Sequence, residues 1–89
     1  MSVKTPVKDL DTCTTTGCYV TTHNATGLPD KTGEAPCVVF RVYNKGIPCA
    51  LQILFHGSIL YVRLVWVGGI TSWSKFNPSN EAISTGSNF

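Results

Sequence analysis

Apolar residues along the chain fall into short runs rich in β-branched and aromatic side chains, parted by Gly, Pro and Asn. Runs of this length and content read as strands rather than helices. The pattern predicts strands at Cys18–Thr22, Cys37–Tyr43, Ala50–Phe55 and Ile59–Val67, and a short closing strand at Trp73–Phe76. Turn chemistry lies between them. Thr14-Thr15-Thr16-Gly17 precedes the first strand, Asn44-Lys45-Gly46 reads as a hairpin with one extra residue, and His56-Gly57-Ser58 as a tight turn. Gly68-Gly69 ends the longest strand. Asn77-Pro78 stops the last one, because proline cannot donate to a ladder. Between Asn24 and Pro36 stands a loop holding Gly27, Pro29 and Gly33, long enough to carry function.

Alternation divides the fourth strand into two faces. Leu60, Val62, Leu64 and Trp66 point one way; Ile59, Tyr61, Arg63, Val65 and Val67 point the other. Both are largely apolar. One is expected to cover the core. The face with Tyr61 and Arg63 is expected to stay uncovered in a monomer, as an interface or a binding site.

Composition agrees with the strand reading. Val, Ile and Thr contribute 9, 5 and 11 residues, while Ala and Glu number only 4 and 2. Stiff β-branched side chains suit a pleated sheet, and the good helix formers are scarce. The fold expected is all-β, a small antiparallel β-sandwich or meander of about five strands. Its 89 residues allow one domain: a lead-in over 1–12, with Val7 and Leu10 as apolar anchors, a β domain over 13–76, and a polar tail over 77–89 in which Ile83 and Phe89 could anchor.

Charge narrows the partners. Net charge is +2, and the seven basic residues are scattered, so no nucleic-acid footprint is expected. Met1–Leu10 lacks the apolar stretch of a signal peptide, and Ile59–Val67 is far too short for a membrane-spanning helix. No membrane insertion is expected. Cys13, Cys18, Cys37 and Cys49 lack the C-x2-C spacing of common zinc sites, so no metal or other cofactor is expected. They read as buried thiols, with disulfides as the alternative.

Catalytic patterns are scarce. The five acids all lie off the strands, which argues against a glycosidase. A dyad such as Cys37 with His56 is the residual enzymatic option. What remains is a binding inventory: Tyr43, Tyr61 and Trp66, with Gln52, Asn44, His56 and Arg63 as hydrogen-bonding neighbours. Aromatic faces beside planar polar groups suit sugar rings. Arg63, among apolar neighbours, needs a partner. Trp73 is expected to be core.

An ordered set of motifs then resembles a known family. Asp9-Leu10-Asp11-Thr12, Thr15-Thr16-Gly17-Cys18-Tyr19-Val20 and Asn24-Ala25-Thr26-Gly27-Leu28-Pro29 are similar to the opening of the pyocin-knob family, small β modules of phage tail fibres and phage-tail-like bacteriocins. Gln52-Ile53-Leu54-Phe55, Leu60-Tyr61-Val62-Arg63 and Ser72-Trp73-Ser74-Lys75-Phe76 resemble its later strands. The likeness runs from Asp9 to Phe76. It departs where Ile70 replaces the first of two closing tryptophans, and where Leu64–Val67 is more apolar than usual. The resemblance implies a non-catalytic tail-fibre component of the virion, a homotrimer among other fibre or tail proteins, adhering to a bacterial surface glycan for host attachment. The alternatives are a purely structural fibre knob, or a small phage protein that binds and inhibits a host protein through the Leu64–Ile70 hairpin.

Overall fold

The computed structural model describes residues 5–77. The expected tail anchors Ile83 and Phe89, and all but Asn77 of the expected tail, lie outside the described residues. The fold is all-β. Seven strands form one curled sheet: β1 (Val7–Asp9), β2 (Gly17–Thr26), β3 (Pro36–Asn44), β4 (Ile47–His56), β5 (Ile59–Trp66), β6 (Gly69–Ile70) and β7 (Ser74–Phe76). Strands β2 to β5 form an antiparallel meander, with β6 and β7 both pairing with β5. Of the two architectures expected, the meander is the one present, and β1 joins it parallel to β2.

Local chemistry sets the boundaries. The β3–β4 hairpin turns on Lys45 and Gly46 with φ of 53° and 82°. Two successive positive φ values make the tight two-residue turn whose twist matches that of the strands, so the expected extra residue is absent. Strand β2 runs four residues beyond the expected Thr22, to Thr26, because Ala25 packs inward and the long loop begins only at Gly27.

The core lies on one side of the sheet. Val39, Ala50, Leu54, Tyr61 and Val65 are buried there. Their cover is the segment expected as a lead-in. Val7 sits in β1, Leu10 heads a single turn of 3-10 helix (Leu10–Thr12), and Leu10 is fully buried. Asp9 caps that turn by accepting the Asp11 amide at 2.9 Å. From the other loops come Leu28, Ala35 and Trp73.

This cover decides the faces of β5, and it corrects the expectation. Tyr61, Arg63 and Val65 point into the core, whereas Leu64 and Trp66 are exposed. The reason is the Leu10–Cys13 turn: its backbone carbonyls need donors, and those stand on the Gln52/Arg63 side of the sheet.

Candidate functional site: a bare sheet face

Three of the expected site residues belong to a buried polar network. The Gln52 Nε2 amide donates to the carbonyls of Leu10 (2.6 Å) and Cys13 (2.8 Å). The Gln52 Oε1 accepts from Arg63 Nε at 2.7 Å. Arg63 Nη2 reaches Asp11 Oδ1 at 3.0 Å, and its guanidinium lies 4.4 Å from the Trp73 ring centroid. Trp73 Nε1 donates in turn to the Gly27 carbonyl at 2.9 Å. Arg63 thus has the partners that a buried charge requires, and the two ends of the cover are clamped to one point on the sheet. Tyr61 packs edge-on to Trp73 and donates its hydroxyl to Asp30 Oδ2 at 2.8 Å. Gln52 is fully buried, and Tyr61 and Arg63 nearly so; the sequence reading had set the last two on an uncovered face.

The other expected residues are dispersed. Tyr43 is exposed at the distal end of β3, and His56 is exposed at the opposite end of the sheet. Asn44 and Trp66 come together on the outer face, lining a depression of about 140 Å³ with Ile47, Cys49 and Leu64. Of the Cys37–His56 pair, Cys37 is buried and His56 is exposed. Cys37 is 1% exposed, and burial pushes its thiol up to about 12, the opposite of what a nucleophilic thiolate needs. Burial also raises the Cys13 thiol. Cys13, Cys37 and Cys49 carry free thiols. Among the described residues, no group of three His, Cys, Asp or Glu is placed to hold a metal ion, and no helix is long and apolar enough to cross a membrane.

Aromatic and oppositely charged groups meet in a groove of about 330 Å³ lined by Leu28, Pro29, Asp30, Tyr61, Trp73 and Lys75. Asp30 accepts from Tyr61 and, at 3.4 Å, from Lys75; these contacts hold its carboxyl below the usual range. As a sugar platform it is compromised. The Trp73 ring already stacks against Arg63 and meets the edge of Tyr61.

The outward face is different in kind. Strand register lays its side chains in rows. Asn44 and Ile47 form the first row, and Val42, Cys49 and Trp66 the second. Phe40, Leu51 and Leu64 follow, then Cys18, Val38, Ile53, Val62 and Ser74. Val20 and Pro36, with Phe55, Leu60 and Phe76, close it. No charged side chain interrupts these rows. The charged residues of β3 to β7 (Arg41, Arg63 and Lys75) all stand on the opposite face by alternation. The covered side of this sheet is therefore its more polar side. Among the described residues nothing covers the other, bare side, which carries Phe40, Val42, Phe55, Leu64, Trp66 and Phe76, each more than a third exposed. A Cβ at Gly68 would stand 2.5 Å from the Trp66 indole, so glycine there leaves room for the ring.

Sequence reasoning found Trp66 and Asn44 but missed the extent of the face. The signal was there in β3 and β4, where Val38-Phe40-Val42 and Leu51-Ile53-Phe55 are more apolar than the residues between them, which include Arg41 and Gln52. No protein-family model matches the chain, and neither a curated protein nor a solved structure is significantly similar to it.

Proposed function

We propose that this chain is a non-catalytic assembly module, a structural knob of the phage tail-fibre kind that its motifs resemble, working in the virion by docking its bare sheet face onto protein. One observation carries the reading: a sheet face several strands wide, uncharged throughout, lies opposite a fully packed core. Apolar faces of this breadth are covered in working proteins. The burial of Gln52, Tyr61 and Arg63 weighs against polysaccharide adhesion at those residues.

The test sets the two fibre roles against each other. The dilute native chain should be retained on a phenyl-substituted matrix, Leu64→Lys should cut that retention, and bacterial envelope polysaccharides should not bind. Polysaccharide binding that survives Leu64→Lys and is lost in Asp30→Ala would replace assembly with adhesion through the Asp30–Trp73–Lys75 groove.

A further inference from the structure

Resting on that assembly reading, we infer that the occupant of the bare face is a second copy of the same chain, the two sheets packing face to face about a two-fold axis with Trp66 as the anchor.

Three features point to a copy of itself. The first is chemistry. An uncharged face has no electrostatic means of selecting a different partner, and it meets no like-charge repulsion when it meets itself. The net charge of +2 adds little long-range repulsion. The second is shape. Trp66, 45% exposed, forms one wall of the depression that Asn44, Ile47, Cys49 and Leu64 also line. An exposed ring at the rim of a depression on the same face suits an isologous contact, because two-fold rotation brings the ring of each copy to the depression of the other.

The third is size. Each outward position occupies roughly 4.8 by 6.7 Å of sheet, about 32 Å². The eighteen outward side chains of the rows described above therefore span roughly 600 Å², or about 1,200 Å² over two copies. That reaches the lower edge of stable, specific interfaces, about 1,200–2,000 Å² in total. Face-to-face sheets pack about 10 Å apart with interdigitated side chains, so pairing would complete a β-sandwich across the two chains. Among the described residues, the sheet edges offer no rival route. Strand β1 has three residues, and β6 and β7 have two and three, too short to template edge-to-edge growth.

Pairing differs from the threefold grouping that the fibre resemblance implies, and solution mass separates them. The full chain is measured by light scattering and sedimentation equilibrium over a wide concentration series, in reductant. A species of twice the chain mass is expected. Trp66→Lys and Leu64→Lys should each weaken it about thirtyfold or more, the scale of an interface hot spot. Both side chains point outward, so both variants should keep the far-ultraviolet circular dichroism of the parent. Trp66 fluorescence should shift to the blue as the wild type associates. A trimer, or a dimer indifferent to both substitutions, would overturn the pairing. A monomer whose phenyl-matrix retention still depends on Leu64 would remove the second copy as occupant while leaving the assembly reading intact. Loss of that dependence as well would take the assembly reading with it.

Discussion

Replacing Gln52 by Leu tests whether the buried polar network is what seats the cover on the sheet. Leucine is close to glutamine in volume, so packing is kept and only hydrogen bonds are lost. Three groups lose a partner: the Cys13 carbonyl, the Arg63 Nε–H and one of two donors to the Leu10 carbonyl, which keeps the Cys13 amide at 3.2 Å. A buried orphan costs about 1–3 kcal/mol, with the charged Arg63 at the upper end and the still-bonded Leu10 carbonyl below the lower end. Burying a leucine there returns about 1–2 kcal/mol. The net loss is about 3–4 kcal/mol. A chain of 89 residues is stable by only about 4–13 kcal/mol, so the variant should be marginal. The Arg63–Asp11 pair adds little to this sum, because Asp11 is 37% exposed and solvent screens it.

The decisive measurement is a double-mutant cycle. Arg63→Met removes the charged orphan that Gln52→Leu creates. The double variant should therefore cost about 2 kcal/mol less than the sum of the singles. Urea unfolding followed by fluorescence and circular dichroism, at one fixed protein concentration because association shifts apparent stability, reads all four proteins. A Gln52→Leu loss below about 1 kcal/mol, or strict additivity, would refute the claim that the network holds the cover.

Other consequences are open to direct measurement. Gly27→Ala should destabilise by about 2–3 kcal/mol in the same urea assay, because φ is +88° there and a Cβ would collide with the Asp11 carboxylate and crowd Arg63. Lys45→Asn should stabilise by about 0.5 kcal/mol, since asparagine tolerates the positive φ of 53° better; an unchanged urea midpoint would count against the turn assignment. Asp30 has its folded-state value lowered, chiefly by the Tyr61 hydrogen bond and then by Lys75. Its contribution is thus complete above the ordinary value of 3.8 and is lost as pH falls below it, and Asp30→Asn should flatten that acid limb of the stability curve. Cys37 should resist iodoacetamide until the chain unfolds, while Cys49, only partly buried in the single chain, should be alkylated in the native state at dilutions where the chain is monomeric; mass spectrometry after pulse labelling distinguishes them.

The strands were legible because their signals are local. A period of two, β-branched runs and glycine turns placed β3, β5 and β7 within a residue of where they lie and β4 within three, its start at Ile47 being hidden by Pro48, and the need of Arg63 for a partner was visible from its apolar neighbours. The sides of the sheet were not legible. Leu60-Val62-Leu64-Trp66 and Tyr61-Arg63-Val65 are both apolar enough to be core, so period alone cannot choose between them. The choice depends on Leu10 and Cys13, some forty residues away in sequence, whose carbonyls find the Gln52 amide only once the chain has folded. The bare face was hidden for the same reason. It exists only where register aligns Phe40 with Leu51 and Leu64, and Val42 with Cys49 and Trp66. Residue types fixed the all-β class, because strand formation follows from side-chain shape; which side became core was decided by long-range hydrogen bonds that no local pattern encodes.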